Sequence, residues 1–438
     1  MVQSVGQERQ TTTQCINTDQ RWDRFSDLPE PIIHHIFSFL EMNDIARIGA
    51  VSRRCRQMFI CSPYLKFKLT CSYDGPPNLC KQFSDHVDRL LSQRNGLEIR
   101  CLCLHWACFK DNCDVDVTLI DRWVNVALSC QAQEIDLEVG LTECPFLELE
   151  EIPIFELPKC VFSSETLRVL KLDLHHKCLK EPTGAFVLLE DLTLTTMAGP
   201  DSERSLKKLI STACPSLKRL TIVNLDDVRH LSVISPSLEE LTLIDLPYNL
   251  WVIDISTQGL QKLYLDLHSL FAGYLCTMKI DAPNLQDLKW KAATANNIYL
   301  SQFRFLKNAN ISVGISDSYV DEPTTRNRIT DLLQGVCCSR TLQLNSDVLE
   351  ELKLKALEDY KQHGGFHNLI CHQLNAIEIE LNGKGHKVGF LKNMCKVAKG
   401  LKKMTIFYSK ESYNSLSEIG LHNSRLASQP FEVNLVEK

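Results

Sequence analysis

One short stretch concentrates the side chains that most readily bind metal ions. The segment "CLCLHWACFKDNC", residues 101–113, contains four cysteines and one histidine. Zinc sites commonly space their cysteines as C-x-x-C, and this stretch has no such pair. Cys101, Cys103 and His105 instead alternate with leucines, so on a β-strand the two thiols and the imidazole would share one face. We therefore predict a strand here and assign no metal ligands and no cofactor, with a zinc site as the alternative interpretation.

Two segments nearer the C-terminus also carry residue types associated with ligand binding. His363, His367, Cys371 and His372 are close in sequence, but the adjacent glycine pair would interrupt a helix that could align them. The "NGKGHK" segment, residues 382–387, lacks the third glycine and the Lys-Ser/Thr pair of a phosphate-binding loop. We interpret both segments as loops or turns. No Ser-His-Asp set or carboxylate pair is recognisable, so we predict a non-catalytic protein and rank an enzyme last.

The composition excludes several classes of protein. The chain has 438 residues, of which 44% are hydrophobic and 23% charged, as in ordinary folded domains. A net charge of -6 gives no reason to expect a nucleic-acid partner. The first residues are polar and no run of about 18 apolar residues occurs, so we expect neither a signal peptide nor a membrane span. We accordingly expect the nucleus or cytoplasm, with most of the 19 cysteines reduced and buried.

The N-terminal part predicts three short helices with more apolar surface than they can bury among themselves. In "RFSDLPEPIIHHIFSFL", residues 24–40, six of the nine residues from Ile32 to Leu40 are Ile, Phe or Leu. Two prolines fall in the first turn, where they are tolerated. Asn43 and Ser52 are candidate N-caps of the second and third helices. A unit of some forty residues has a small core, so the surplus apolar surface predicts a binding partner.

The segment "SDLPEPIIHHIFSFLEMNDIARIGAVSRRCRQM" resembles the F-box. The residues that carry this resemblance are Leu28, Pro29, Ile32, Ile36, Leu40, Asp44, Val51, Ser52, Arg53 and Arg54. Cys55 stands where the family usually has tryptophan, which would weaken packing of the third helix. The resemblance implies that the protein binds a Skp-type adaptor and, through it, a cullin ubiquitin ligase. The adaptor-binding residues that it implies are Leu28, Pro29, Ile32, Ile36, Leu40, Val51, Arg53 and Arg54.

A second pattern, L-x-x-L-x-L, recurs from about residue 130 onward. Its six clear copies begin 21 to 28 residues apart, at Leu167, Leu189, Leu217, Leu238, Leu260 and Leu285. This spacing is the signature of leucine-rich repeats, in which each strand stacks on the next. Weaker copies occur at 132–139, 305–313, 342–352 and 374–381.

Residues that alternate with the repeat leucines should point away from the core and line the concave face of the solenoid. We predict that this face binds a client protein, with Tyr264 as the anchor because aromatic residues dominate interface energies. The candidate client-binding residues are Lys171, Asp173, Thr193, Arg219, Thr221, Glu240, Thr242, Lys262, Tyr264, Asp266 and Lys289.

Flanking segments strengthen the resemblance to plant F-box/leucine-rich-repeat proteins. Trp123, the Leu157-Pro158 pair and Phe162 lie in segments similar to those that lead into the repeats of that family, and 375–410 resembles the FBD domain. The predicted fold is α/β, a three-helix F-box followed by a solenoid with a curved parallel sheet. The predicted divisions are a disordered tail (1–23), the F-box (24–66), a linker (67–94), the solenoid (95–370), an FBD-like cap (371–410) and a C-terminal tail (411–438).

Together these features predict a substrate-recognition subunit of a Skp/cullin/F-box ubiquitin ligase. In this interpretation the F-box binds the adaptor, the repeats bind an unidentified client protein, and neither nucleic acid nor membrane is a partner. The alternatives are a small-molecule co-receptor of the F-box type and a scaffold whose F-box no longer binds an adaptor. The sequence does not identify the client.

Overall fold

The computed structural model describes residues 25, 28–71, 78–108, 117–141, 154–199, 201–247, 249–267, 277–292, 297–313, 331–336, 338–345, 374–381, 401–408 and 432–437. The α-helices in these ranges are α1 Glu30–Phe37, α2 Met42–Gly49, α3 Arg53–Cys61, α4 Leu79–Gln93, α5 Val117–Ser129 and α6 Asp201–Lys208. The strands are β1 Tyr64–Cys71, β2 Cys101–Cys108, β3 Glu134–Leu141, β4 Ile154–Phe155, β5 Val169–Leu179, β6 Asp191–Met197, β7 Arg219–Leu225, β8 His230–Ile234, β9 Glu240–Ile244, β10 Val252–Ser256, β11 Lys262–Leu267, β12 Thr277–Asp281, β13 Asp287–Ala292, β14 Asn297–Leu300, β15 Asn308–Ser312, β16 Thr341–Leu344, β17 Ala376–Leu381, β18 Lys403–Tyr408 and β19 Glu432–Glu437.

The three N-terminal helices form where the sequence predicts them, with differences at their ends. Helix α1 begins after Pro29 and has proline in its first turn, but it ends at Phe37, three residues before Leu40. Helix α2 begins at Met42, so the predicted N-cap at Asn43 is wrong. Ser52 does cap α3: its hydroxyl accepts a hydrogen bond from the Cys55 backbone N–H at 3.1 Å. The capping hydroxyl satisfies one of the N–H groups that a helix start leaves unpaired.

A parallel sheet forms the body of the molecule. Its strands are ordered β1-β2-β3-β5-β6-β7-β9-β11-β13-β15-β16-β17-β18-β19. Within the described residues, each strand of this order lies beside the strands of the same order that precede and follow it in the chain. All six clear leucine-rich copies supply a strand of this sheet, and the weaker copies supply β3, β15, β16 and β17. Leucines of the pattern are buried while the residues between them are not, which confirms the predicted alternation. This sheet is called the main sheet below.

The main sheet extends beyond the predicted solenoid at both ends. Strand β1 pairs with β2 along its whole length, so the segment predicted as a linker, 67–94, contributes a strand and helix α4 to the repeat architecture. At the other end β17 and β18 continue the same sheet through the predicted cap, and β19 from the predicted tail pairs with β18. The strands "KFKLTC" and "KMTIFY" contain one leucine and none, so the L-x-x-L-x-L signature does not identify them. Each nevertheless buries its inward residues against the neighbouring strand.

A second parallel sheet, which the sequence reasoning did not predict, covers the other side of the central repeats. Its strands are ordered β14-β12-β10-β8, and each lies between two main-sheet strands in the chain. The length of a repeat decides what covers it: the 28-residue step from Leu189 to Leu217 contains α6, whereas the following steps of 21 to 25 residues contain strands β8, β10 and β12. A shorter crossover has too few residues for a helix and its two connections, and an extended strand fits instead.

The hydrophobic core is continuous from the N-terminal helices into the repeats. Ile33, Phe37 and Ile45 belong to the same buried cluster as Leu65 and Phe67 of β1. No helix among the described ranges combines the length and apolar character that crossing a bilayer requires. The N-terminal helices are thus packed on the end of the main sheet as part of one hydrophobic unit.

A buried arginine fixes this junction. Arg94, only 1% exposed, follows α4 and donates hydrogen bonds to the carbonyl oxygens of Ile60 and Ser62 at 2.6 Å and of Glu98 at 2.7 Å. Lys66 of β1 adds a hydrogen bond to the Ser38 carbonyl oxygen at the end of α1. Because the guanidinium satisfies three backbone acceptors at once, the turn after α3 and the turn after α4 are held in one arrangement.

Candidate interaction surfaces

Three large apolar side chains of the N-terminal helices are exposed. Ile32 on α1 is 47% exposed, Phe39 after α1 is 74% exposed and Val51 between α2 and α3 is 76% exposed. Ile33 and Phe37, from the same apolar run 32–40, are buried. The run is therefore divided: some of its side chains lie in the core and others are exposed to solvent. The set Ile32, Phe39 and Val51 is called the N-terminal apolar face.

The other predicted adaptor-binding residues occupy two kinds of position. Leu28, Ile36 and Leu40 are half-buried, and Leu28 and Leu40 pack against the core. Pro29, Arg53 and Arg54 are exposed, and the Arg54 guanidinium donates to the Leu28 carbonyl oxygen at 3.2 Å. Of the eight residues, Ile32 and Val51 thus belong to the N-terminal apolar face, and the other six, three half-buried and three exposed, lie near them in the sequence.

Sequence reasoning left Phe39 out of the binding residues although the structure exposes it more than Ile36. The reason is local: α1 ends at Phe37, and the Ser38 hydroxyl donates to the His35 carbonyl oxygen at 2.6 Å. The turn that follows directs Phe39 outward, where its ring meets His35 edge-on at 5.0 Å. A serine two residues before the end of an apolar run was the available signal, since serine favours local hydrogen bonds at helix ends.

Cys55 takes a core position in α3. Its side chain is 3% exposed, and it lies on the same short helix as Met58 and Phe59, which pack against the core. A thiol of this size fills less space than an indole, and burial of the small side chain is typical of cysteine. The effect of this replacement on adaptor binding stays a prediction.

All eleven predicted client-binding residues lie on main-sheet strands at the positions that alternate with buried leucines. We call this side of the main sheet the polar face; it comprises three rows of residues that run across the strands. The middle row is Lys171, Thr193, Thr221, Thr242, Tyr264 and Lys289, each paired in register with the next. A flanking row contains Arg219, Glu240 and Lys262, and the other flanking row contains Asp173 and Asp266.

Ion pairs between successive strands cross the polar face. Lys171 contacts Glu134 at 2.6 Å, Arg219 contacts Asp191 at 2.8 Å, and Lys262 contacts Glu240 at 2.7 Å. Each pair joins adjacent strands, where parallel register brings outward side chains close enough to meet. These pairs are partly or largely exposed, so each contributes little to stability and leaves its charges accessible to solvent.

Tyr264, the predicted anchor, is surrounded by charge. Its hydroxyl donates to Asp266 at 2.7 Å, and the Nζ atoms of Lys289 and Lys291 lie 5.8 and 5.9 Å from its ring centroid. The hydrogen bond to Asp266 raises the pKa of the Tyr264 hydroxyl above its usual value. The ring is therefore held in place before any partner arrives, which limits the entropy that it would lose on binding.

The residues with metal-binding chemistry come together differently from the sequence expectation. Strand β2 does place Cys103 and His105 on one face, as predicted, but β3 brings Asp136 beside them. Burial is the main cause that raises the pKa of the Cys103 thiol, with the Asp136 carboxylate as the next. The second cysteine and histidine cluster, 363–372, and the glycines of 382–387 lie outside the described residues.

The aromatic residues quoted for the family resemblance also lie in the core. Trp123 of α5 is 1% exposed, its ring centroid is 5.9 Å from that of Trp106, and its indole N–H donates to Asp88 at 2.6 Å. Phe162 packs on Phe186 with ring centroids 4.8 Å apart. These residues join the helices and loops that cover the main sheet to its first repeats.

Comparisons with known proteins agree with this architecture. Residues 25–72 match the F-box-like family model, and residues 120–312 match the family described as "FBD-associated F-box protein At5g56370, LRR repeats". The chain is 26% identical over 356 residues to an F-box/LRR-repeat protein of Arabidopsis thaliana, At3g59200, an alignment that covers 75% of this chain and 60% of the relative. A second, At4g14096, also an F-box/LRR-repeat protein, is 28% identical over 336 residues, covering 75% and 63%.

A third relative from the same plant adds the C-terminal domain type. The F-box/FBD/LRR-repeat protein At5g56420 is 29% identical over 227 residues, which is 50% of this chain and 49% of the relative. The chain thus spans between about half and two thirds of the length of these three relatives.

Proposed function

We propose that this chain, which matches the F-box-like and leucine-rich-repeat family models and is similar to plant F-box/LRR-repeat and F-box/FBD/LRR-repeat proteins, is the substrate-recognition subunit of a Skp/cullin/F-box ubiquitin ligase. In this proposal the F-box binds a Skp-type adaptor and, through it, a cullin. The polar face binds a client protein. The chain would act by proximity, raising the effective concentration of the client near the ubiquitin-charged enzyme, in the nucleus or cytoplasm.

The observation that carries the proposal is the N-terminal apolar face. Of eleven large hydrophobic residues that are exposed in the described ranges, three fall within residues 32–51. Exposed apolar residues at this density on a small helical unit are typical of protein interaction sites. They also lie beside the Leu-Pro pair and first helix that carry the F-box resemblance, which supports an adaptor as the partner.

The polar face supports the second half of the proposal. It offers charged and hydroxyl side chains in register, with one aromatic ring beside two lysines of the next strand. Protein interfaces commonly combine an aromatic anchor with a polar rim. The middle row has lysine at each end and three threonines and Tyr264 between, so a client with carboxylates toward its ends and uncharged residues between them fits the pattern.

The junction between the two surfaces supports a positioning role. Arg94 and Lys66 tie the N-terminal helices to β1 and to the turn after α4, and the hydrophobic core is shared. A client on the polar face would therefore be held at a defined distance and orientation from the adaptor. A flexible linker between the surfaces would not give this geometry.

The test is co-expression of the full chain with a Skp-type adaptor, followed by size-exclusion chromatography. The wild type should co-elute with the adaptor. Phe39→Asp places a charge in the proposed interface, and burying it there should cost several kcal/mol, enough to abolish a micromolar complex. Because Phe39 is exposed in the free chain, the variant should fold normally.

Phe305→Asp is the matched control. Phe305 is 58% exposed and lies before β15, in the repeats, so the same substitution there should leave co-elution unchanged. A folded wild type that does not bind the adaptor would overturn the ligase proposal. Equal loss of binding in both variants would show that the effect is not specific to the F-box.

A further inference from the structure

We propose that Cys103, His105 and Asp136 bind a zinc ion on the polar face of the main sheet. The proposal concerns the first repeats, away from the F-box, and does not depend on the ligase role. It rests on the distances between three ligand atoms, on the strands that fix them and on the carboxylate that orients the imidazole.

The ligand atoms are spaced as the corners of a metal polyhedron. Cys103 Sγ lies 3.2 Å from His105 Nε2, and that nitrogen lies 3.2 Å from Asp136 Oδ1. All three atoms are within 4.8 Å of one another. Tetrahedral zinc with its usual bond lengths separates such ligand pairs by about 3.3 to 3.6 Å. The two 3.2 Å distances at Nε2 therefore need to change by only a few tenths of an ångström to admit the ion.

The strands hold these residues rigidly. Cys103 of β2 is directly opposite Asp136 of β3, and His105 is opposite Glu138. On the reverse side of the same strands, Leu102, Leu104, Ile135 and Leu137 are buried in the core. Neither strand can rotate its outward residues without exposing that core, so the three ligands are positioned in advance.

A second carboxylate fixes the histidine in the form that binds metal. Glu138 Oε2 lies 3.2 Å from His105 Nδ1, on the opposite side of the ring from Nε2. A hydrogen bond from Nδ1–H to this carboxylate leaves the Nε2 lone pair for the ion, as in many zinc sites. The other Glu138 oxygen lies 3.4 Å from His175 Nε2, which limits movement of the carboxylate.

The surrounding charge favours a divalent cation. Asp136 and Glu138 lie in the cluster, and Glu134 is two residues away on the same strand. Two lysines on the neighbouring strands are engaged elsewhere: Lys66 donates to the Ser38 carbonyl oxygen and Lys171 pairs with Glu134 at 2.6 Å. Lys68, opposite His105 on β1, is a positive charge that acts directly on the imidazole, and the carboxylates of Asp136 and Glu138 outnumber it. Sulfur, imidazole nitrogen and carboxylate oxygen together are a ligand set that suits zinc better than calcium or magnesium.

Zinc would displace the thiol proton of Cys103 to solvent, forming a Zn–S bond, while His105 binds as the neutral imidazole and Asp136 as the carboxylate. Tetrahedral zinc has four ligands. The three protein ligands here would therefore leave one position for a water molecule. The ion would add positive charge to an acidic part of the polar face.

The test begins with the full chain freed of metal by a chelator and titrated with zinc by calorimetry, with cobalt as a spectroscopic substitute. The wild type should bind one ion at this site, and its cobalt form should show the absorption of a thiolate ligand. Cys103→Ser should remove that absorption. Asp136→Asn, which keeps the shape of the side chain, should weaken zinc binding at least tenfold.

Asp287→Asn is the matched control, since Asp287 is also a half-buried aspartate at an outward position of the main sheet, but on β13, six places from β3 in the sheet order. Its zinc affinity should equal that of the wild type. The proposal is overturned if the wild type binds no zinc, or if Cys103→Ser keeps the thiolate absorption, because another of the 19 cysteines would then be the ligand.

Discussion

The N-terminal apolar face and the polar face of the main sheet lie on the same hydrophobic unit yet are built in opposite ways. The first consists of separate apolar side chains on short helices and turns. The second consists of polar side chains in register on long parallel strands, most of them paired with one another. When any suitable apolar partner covers an apolar surface, the free energy of the complex falls. A surface of paired charges must instead give up its existing ion pairs and hydration, and the partner must replace them with equally good contacts.

This contrast separates two tasks. In the proposed function, the surface that binds the adaptor is the same whichever client is present. Such a surface needs affinity, and burial of apolar area provides it. A surface that distinguishes clients needs selectivity, and desolvation of unmatched charges provides it by penalising the wrong partner. If this contrast holds, substitutions and acid should affect different parts of the molecule to different extents.

The largest effect is expected at the junction between the two regions. Replacing Arg94 with methionine removes the donor to the Ser62 carbonyl oxygen, whose hydrogen bond is buried, and to the partly buried carbonyl oxygens of Ile60 and Glu98, and each unsatisfied buried acceptor costs about 1–3 kcal/mol. We expect a loss of about 4 kcal/mol in the free energy of unfolding, measured by urea denaturation. Arg89→Met, at an exposed position of the same helix, should change it by less than about 0.5 kcal/mol. Equal effects of the two substitutions would contradict the role given to Arg94.

The next effect tests the alternation along one strand of the main sheet. Leu241 is 1% exposed and Thr242 is its outward neighbour. Leu241→Ala should destabilise the protein by about 3 kcal/mol through lost burial and a residual cavity, while Thr242→Ala should cost about 0.5 kcal/mol or less. Urea denaturation of both variants measures these changes in the free energy of unfolding. A large loss of stability in Thr242→Ala would mean that the polar face is part of the core.

Acid should affect helix α4 and the start of strand β6 in different ranges of pH. His86 of α4 packs against Phe67 with ring centroids 6.3 Å apart, and burial is the main cause that lowers its pKa below 6.5, with Arg89 adding to it. Its stabilising contribution is therefore complete above about pH 6.5 and is lost as pH falls toward the lower folded value.

Glu190, before β6, has its pKa lowered chiefly by a hydrogen bond from Lys218, so its contribution is lost only as pH falls below about 4.5. Melting temperatures recorded from pH 8 to 4 should show that His86→Gln removes part of the decline below pH 6.5. Glu190→Gln should alter only the decline below pH 4.5. The opposite assignment of ranges would contradict the burial of His86.

The smallest effect is expected for an ion pair of the polar face. Arg219 and Asp191 are partly exposed, so a double-mutant cycle with Arg219→Gln and Asp191→Asn should give a coupling energy of about 0.5 kcal/mol or less. A coupling several times larger would mean that these pairs hold the strands together. The polar face would then be a structural element rather than a surface available to a client.

Sequence reasoning predicted the elements whose signals are local. The leucine pattern identified the strands, and the Ser52 cap and the prolines identified the helices, because these signals act over a few residues. It did not predict the second sheet, whose strands such as "HLSVI" are short, nor that β1 begins the main sheet at Tyr64. Those features depend on crossover length and on packing against distant residues.

The proposed zinc site shows the same limit at the level of side chains. The sequence pattern placed Cys103 and His105 on one face of a strand. It contained no C-x-x-C pair or other known zinc spacing that would supply the remaining ligands. Asp136 becomes their neighbour only through the register of β2 with β3, 33 residues along the chain. Aligning "CLCLH" with "EIDLE" as successive repeats would have placed the aspartate opposite the cysteine.

The strand order of the main sheet also bears on how such a chain can change over generations. Within the described residues, the strands along the main-sheet order pair only with the main-sheet strands that precede and follow them in the chain, with β4 as an extra partner of β5. Duplication or deletion of one repeat would therefore require new contacts at a single seam and leave both ends intact. The number of repeats can then change, and the polar face can be enlarged, shortened or altered one strand at a time, while the N-terminal helices are inherited unaltered.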